Sequence, residues 1–415
     1  MKLDTKAMRY LTAEDWKVLA AVEQGTKNHE LVPTPLIEKL SRLRGGASGV
    51  HKSISALAKT GLIGRLKEAK YDGYRLTYGG LDYLALHTHA SRKHVYSVGS
   101  RIGVGKESDI MIVADDTGAQ RVLKIHRLGR ISFRTVKSNR DYLRKNKTGS
   151  WMYLSRLAAT KEFAFMTALR DEGFPVPEPI AHSRHTIVMS LIDALPLRQI
   201  SAVPDPASLY ADLIGLILRL ARHGLIHGDF NEFNILVKES KPDEDSNEIT
   251  LTPILIDFPQ MVSMDHPNAE MYFDRDVACL KTFFQRRFHF VPTQPGPFYA
   301  DAKKTVGRDG ARRLDAALEA SGFTKKMAKD LEAAIREQQQ EKLAKGEGID
   351  EGGELSGDEE EDEDDEEDDE EGQNDQQEEQ VVLVIGEEVG KSSGDNNSLI
   401  DTGRAMQKLA IGSDT

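Results

Sequence analysis

Residues 358–371 are fourteen consecutive carboxylates, DEEEDEDDEEDDEE. Charges so dense repel one another and cannot bury enough apolar surface to offset chain entropy, so this stretch marks where a folded body must stop. Segment 346–415 therefore reads as an acidic, largely disordered tail. It contains a short apolar run, VVLVI at 381–385, and a short amphipathic helix is expected near 399–411. The tail also masks the character of what precedes it. The chain holds 67 acidic and 55 basic residues, of which 26 acids and three bases lie beyond residue 345. That leaves 41 acids against 52 bases, a net charge of +11, on residues 1–345. A basic body with an acidic tail suits a polyanionic partner, the tail competing for the same surface. A plain solubility role for both is the rival explanation.

No apolar run approaches the ~20 residues of a membrane-spanning helix, and the amino terminus lacks the apolar stretch of a secretory signal, so no membrane partner is expected. One cysteine, Cys279, excludes an internal disulfide framework or a cysteine-rich zinc site and points to a reducing compartment. A soluble, intracellular monomer is the expectation.

The body divides by pattern. Thr12, with Asp15 three positions on, opens a helix through WKVLAAVEQG; PTPLIEKLSRL makes a second, and SGVHKSISALAKTG a third that ends at Gly61. Two alternating runs, LIGRLKEAKY and GYRLTY, bracket Asp72-Gly73, a strong hairpin signal. Three helices and a hairpin describe a separate winged-helix module over residues 1–90, ending in a linker at 88–94. His51, Lys52, Ser53 and Lys59 on its third helix, and Lys67, Lys70 and Arg75 on its wing, are candidates for nucleic-acid contact, although many such modules bind only protein. Residues 91–190 then read as a β-rich lobe with one helix, interrupted by a flexible basic loop at 127–147 that holds eight Lys or Arg against one Asp. Residues 191–330 read as a helical lobe and 331–345 as a helical extension, for an α+β fold overall.

The residues that carry chemistry lie in those two lobes. Leu225-Ile226-His227-Gly228-Asp229-Phe230-Asn231-Glu232-Phe233-Asn234 places an Asp and an Asn five apart in a loop between helix and strand. That is the spacing of a phosphotransferase catalytic loop, where a carboxylate accepts a proton and a carboxamide oxygen holds a metal. Asp257, 28 residues past Asp229, supplies a second carboxylate at a strand end. Upstream, Gly99-Ser-Arg-Ile102-Gly103-Val-Gly105-Lys106-Glu107-Ser108-Asp109 is a glycine-rich loop whose amides can approach triphosphate oxygens, though Ser108 replaces its third glycine. Lys124 in VLKI is an inward-pointing strand lysine, and Glu162 one helix later is placed to pair with it, with Glu172 as the rival partner. Capping and turn roles for these carboxylates are the structural alternative, set against the order in which five elements recur. Asp276, or equally Asp274, would brace the catalytic loop, and His227 would orient it.

IGVGKESD, IHGDFNEFN, LIDFPQ and YFDRDV, together with the winged helix, resemble the RIO family of atypical protein kinases, in its second subfamily, over about residues 1–330. The resemblance implies a two-lobed kinase core binding ATP and Mg2+. It implies Asp229 as catalytic Asp, Lys124 as the ATP-binding lysine, and Asn234 and Asp257 as magnesium ligands. Adenine would lie along the backbone near Met189, Ser190 and Ile192. It further implies an aspartyl-phosphate at Asp257, and association with the small ribosomal subunit precursor, its rRNA and assembly factors. The expected location is cytoplasmic, with shuttling through the nucleus. Phe-Pro follows Asp257 where kinases ordinarily carry Phe-Gly, and no A-P-E segment follows, which fits an ATP-driven switch better than a protein kinase with a peptide platform. Ser132, Thr135 and Ser138 are candidate autophosphorylation sites. Two rivals stand: a small-molecule kinase of the aminoglycoside or choline type, which shares H-G-D-x-x-x-x-N, and a pseudokinase scaffold.

Overall fold

The computed structural model describes residues 3–65, 71–105, 107–128, 151–240, 250–316, 330–333 and 381–382. Lys67, Lys70, Lys106, Ser132, Thr135, Ser138, all but Arg127 and Leu128 of the basic loop, and the expected helix at 399–411 lie outside these residues.

The first helices form where the sequence places them. Helix α1 (Ala13–Gly25) starts at a reciprocal capping box: the Thr12 hydroxyl accepts the Asp15 amide while Asp15 accepts the Thr12 amide at 2.9 Å. Helices α2 (Thr34–Ser41) and α3 (Gly46–Lys59) follow, then two-residue strands β1 (Ile63–Gly64) and β2 (Arg75–Leu76), paired antiparallel. His51, Lys52 and Lys59 are exposed on α3. Ser53 is not: it is 3% exposed and packs inward, so it cannot meet a partner.

Two sequence expectations fail next. Helix α4 (Tyr78–Ser91) runs through the end of the expected hairpin and most of the expected linker. Gly80 through Leu86 on it are all buried, so its apolar residues surround it and leave no stripe to detect. Gly80 is required there, because a Cβ would stand 2.1 Å from the Leu62 carbonyl oxygen. Nor is the amino-terminal module separate. Its core residues, Val18, Leu19, Ile54, Leu57, Leu81 and Leu86 among them, pack in one cluster with Val98, Met111, Val113, Leu123, Ile125 and Val188 of the next sheet.

That sheet is built from β3 (Ser97–Val104), β4 (Ser108–Ala114), β5 (Gln120–His126), β6 (Pro179–Ser183) and β7 (Thr186–Ser190), in the order β3-β4-β5-β7-β6, all antiparallel. A two-residue strand from the tail, Val381–Val382, adds to the outer edge of β3. Alternation along β5 sends Leu123 and Ile125 to the winged-helix side, while Val122 joins the core on the opposite face. On that opposite face lies α5 (Trp151–Asp171).

The second lobe begins with β8 (Leu195–Pro196) and α6 (Pro206–Arg222), whose N-cap Asp205 accepts the amides of Ala207 and Ser208. Strands β9 (Leu225–Ile226), β10 (Ile235–Ser240), β11 (Thr250–Leu255) and β12 (Val262–Ser263) carry the site loops, and α7 (Ala269–Phe288) and α8 (Tyr299–Lys304) close the lobe. Of the helical extension expected at 331–345, residues 330–333 are described and are helical; Leu331 packs with Leu128 and Leu157. Among the described residues no helix is long and apolar enough to cross a membrane.

Candidate active site

Lys124 lies on the inward face of β5, only 5% exposed. A buried ammonium is costly unless paired, and here two carboxylates meet it: its Nζ donates to Glu162 Oε1 and to Asp257 Oδ1, each at 2.8 Å. Burial alone would lower the lysine pKa, but the adjacent charges of Asp257 and Glu162 outweigh it and hold the pKa above its ordinary value. Burial would likewise raise Glu162, yet Lys124 and His126 together hold it down to about 2. The His126 ring lies two residues along β5 on the same face, its Nε2 2.8 Å from Glu162 Oε2. Glu172 is not the lysine's partner; its carboxylate faces Arg312 at 3.7 Å.

Asp257 comes from the end of β11, where the amide of Ile256 donates to the Asn234 carbonyl at 3.1 Å and so sets the second carboxylate beside the catalytic loop. Its backbone is left-handed, with φ of +69°, a conformation costing on the order of 1–2 kcal/mol for a non-glycine residue. The Lys124 bond on one side and the wholly buried Phe258 on the other hold it there. Its side chain is 39% exposed, so the carboxylate meets both the buried lysine and the open cleft.

The loop that carries Asp229 is held from behind. Gly228, at φ +77°, fits where a Cβ would stand 2.7 Å from the Gln260 carbonyl oxygen. Asp276 on α7 accepts the amides of Gly228 at 2.8 Å and Phe230 at 3.0 Å, and Arg275 donates to the Gly228 carbonyl. Asp276 is thus the brace, with Asp274 exposed on the same helix. Burial pushes the Asp276 carboxyl up to about 7 despite those amides. The His227 ring lies between Phe230 and Phe258 with Nε2 3.2 Å from the Ile256 carbonyl oxygen. Burial drives its pKa down to about 4, so it is a neutral orienting group.

Asp229 is presented by three carboxamides. Asn231 Nδ2 donates to its Oδ1 at 2.9 Å, and Asn234 Nδ2 and Gln260 Nε2 to its Oδ2 at 2.9 and 3.3 Å. Asn234 Nδ2 also meets the Asp229 carbonyl at 3.0 Å, which leaves the Asn234 Oδ1 as the oxygen a cation would take. Asn234 and Asp257 offer one carboxamide and one carboxylate oxygen, a hard donor set suited to Mg2+, which takes its other ligands from water and phosphate. Among the described residues no group of three or more acidic, His or Cys side chains could bind a metal by itself.

The glycine-rich segment is a hairpin rather than a wide loop: Gly99 through Val104 lie in β3, and Gly105 donates its amide to the Ser108 carbonyl at 2.7 Å. Glu107 closes the turn by accepting the Arg127 amide at 2.6 Å. Ile102 and Val104 on β3 are exposed at 52% and 57%. Met189 is a core residue at the end of β7. The Ser190 amide is committed to the Glu178 carbonyl and its hydroxyl accepts the Glu178 amide, both at 3.0 Å. Ser190 thus fixes the strand end and offers no amide to a ligand, while Ile192 lies just beyond it.

The structure joins Lys124, Glu162 and Asp257 in one hydrogen-bonded group and Asp229 and Asn234 in a second, the two linked through the Ile256 amide. Sequence reasoning assigned no role to Asn231, Gln260 and His126. The first two stood within the quoted strings without a partner; His126 was detectable as the residue two beyond Lys124 on a strand face.

Two family models match the chain: the RIO domain over residues 109–295 and the Rio2 N-terminal region over residues 8–92. The serine/threonine-protein kinase rio2 of Schizosaccharomyces pombe is 54% identical over 332 residues, covering 80% of this chain and 92% of that protein. Its Saccharomyces cerevisiae counterpart is 50% identical over 351 residues, covering 81% of each. A crystal structure described as the Rio2 kinase-ADP/Mg2+-phosphoaspartate complex from Chaetomium thermophilum is 83% identical, covers 82% of this chain and all of that one, and superposes with a TM-score of 0.77.

Proposed function

This chain belongs to the RIO kinases, in their Rio2 branch, and from that premise we propose that it transfers the terminal phosphoryl group of ATP to its own Asp257 and uses the cycle as a switch on a precursor of the small ribosomal subunit. The observation that carries the reading is Asp257 itself: a strained, part-exposed carboxylate fixed by a buried lysine at the mouth of the cleft. A phosphoaspartate in the Chaetomium thermophilum relative supports it.

ATP binds with its phosphates under the β3–β4 hairpin, where Lys124 meets them and Ile102 and Val104 cover the base. Mg2+, held by Asn234 Oδ1 and one oxygen of Asp257, would neutralise charge on the phosphates. The other Asp257 oxygen attacks the γ-phosphorus. A P–O bond to that carboxylate forms as the bond to the β–γ bridging oxygen breaks, and ADP leaves with that oxygen. Water then attacks the acyl phosphate. Asp229, held in place by Asn231, Asn234 and Gln260, takes its proton, and Asp257 and inorganic phosphate are released. Two states of one carboxylate supply the switch.

The ribosomal side of the reading rests on charge and shape. Residues 1–345 carry a net +11, and α3 exposes His51, Lys52 and Lys59 on a module fit for a nucleic-acid groove. Precursor rRNA with its assembly factors is the polyanion proposed, and a cytoplasmic location with nuclear passage follows from it.

Labelling with γ-labelled ATP tests the covalent step. Wild-type protein should acquire hydroxylamine-labile label and Asp257→Asn none; label persisting in that variant would refute the assignment. Asp229→Ala should retain nucleotide binding but lose single-turnover hydrolysis. Equal turnover in that variant would favour a scaffold that uses nucleotide only as a ligand.

A further inference from the structure

The glycine hairpin is fastened to the amino-terminal module by a buried ion network centred on Arg127. Its guanidinium donates through Nη1 and Nη2 to the two carboxylate oxygens of Asp82 on α4, at 2.8 and 2.7 Å, and through Nε to Asp109 Oδ2 on β4 at 3.1 Å. Its backbone amide holds the Glu107 carbonyl in the turn of the hairpin. His185, in the β6–β7 turn, donates Nε2–H to Asp82 Oδ1 at 2.7 Å, and its carbonyl accepts the amide of His126, whose ring lies against Glu162. The Arg127 guanidinium lies 5.7 Å from the Tyr78 ring centroid, and Tyr78 stacks at 3.6 Å on Trp151, the first residue of the helix that carries Glu162.

None of Asp82, Asp109, Arg127 and His185 is more than 2% exposed. Position 82 sits among the buried Leu81, Tyr83, Leu84 and Ala85, and buried ion pairs of this kind often stabilise no more than hydrophobic residues of the same volume. What a bidentate guanidinium–carboxylate pair gives that an apolar contact does not is a fixed geometry. Here it fixes the base of the glycine hairpin, through Glu107 and Asp109, and the end of the Lys124 strand, to a helix outside the kinase lobes.

We propose that Asp82 is a positioning residue for nucleotide: through Arg127 it holds the glycine hairpin at its working height over the phosphates, and the amino-terminal module thereby sets nucleotide affinity. This deepens the ATP-binding reading above and rests on it. A displacement of α4 on partner binding would reach the phosphates through three hydrogen bonds rather than through the protein at large.

The test uses the full chain and compares Asp82→Asn with Arg184→Lys. Arg184 makes another ion pair of this interface, a fork onto Glu23 of α1 at 2.8 and 2.9 Å, a carboxylate that Arg156 of α5 also meets, and it does not touch the hairpin. Thermal unfolding, titration with ATP-Mg2+ and single-turnover hydrolysis at saturating ATP are measured for each. Both variants should melt earlier. Asp82→Asn alone should weaken ATP-Mg2+ binding, by about tenfold, with its saturated rate within about twofold of wild type. Wild-type affinity in Asp82→Asn, or equal weakening in both variants, would overturn the proposal and leave the network a purely structural clamp. If Asp82→Asn fails to fold, Arg127→Lys, which keeps the charge but cannot fork, carries the same comparison. A wild-type chain that bound no ATP-Mg2+ would instead strike at the nucleotide reading itself.

Discussion

At the scale of single residues, the site is governed by how few charges are buried and how completely each is met. Lys124 serves two masters, neutralising Glu162 within the lobe and Asp257 at the cleft. Removing it should therefore show twice. Lys124→Ala should weaken ATP binding by loss of a phosphate contact, seen in a nucleotide titration. It should also cost on the order of 3 kcal/mol in urea unfolding, because Glu162 keeps only His126. An unchanged affinity would remove Lys124 from the phosphates. The pairing of Lys124 with Glu162 and the Asp229–Asn234 loop were legible in the sequence, because phosphoryl transfer needs those residue types in that order. Asp82 and Arg127 were not, since 45 residues separate them and no local pattern announces a pair closed by the packing of α4 on the kinase sheet.

At the scale of elements, α4 joins the winged helix to the kinase sheet, and the sequence offered no helix between the expected hairpin and the expected linker at 88–94, because burial on every side erases helical periodicity. The helix also carries a pH dependence. His89 on α4 is buried, with Nε2 2.9 Å from the Thr186 hydroxyl, and burial lowers its pKa to about 3. The folded state holds this ring neutral while the unfolded chain protonates it near 6.5. Its contribution is thus complete above pH 6.5 and is lost as pH falls toward 3. By pH 5 the loss is about 2 kcal/mol. Comparison of urea unfolding at pH 7 and pH 5 should show a difference smaller by about that amount in His89→Gln than in wild type. Equal differences would mean that the ring is already solvated. Asp276, raised to about 7, acts in the opposite sense between pH 4 and 7, which is why the comparison of variants rather than the wild-type profile isolates His89.

At the scale of the whole molecule, the sheet is shared between two cores, winged helix on one face and α5 on the other, so the nucleotide site and the expected nucleic-acid face belong to one continuous body. Against that basic body the tail sets 26 acidic residues. Ending the chain at residue 345 should strengthen binding to a precursor-rRNA fragment at low salt, with the gain fading at high salt as screening removes the competition. Titrations of the truncated and full-length proteins at two ionic strengths measure it, and identical affinities at low salt would show that the tail does not compete.

The sequence by itself determined which chemistry the chain can perform and the order of its parts. Capping residues, glycine turns and the Asp-Asn spacing act over a few positions, and local physics writes them into the chain. Only the tertiary structure decided how Asp229 is held, that Ser53 turns inward, that Ser190 spends its amide on Glu178, and that an aspartate of the amino-terminal module grips the glycine hairpin. Those outcomes depend on which buried polar groups meet across distant segments, and a partner's identity is fixed by where the cores close rather than by the spacing of residues along the chain.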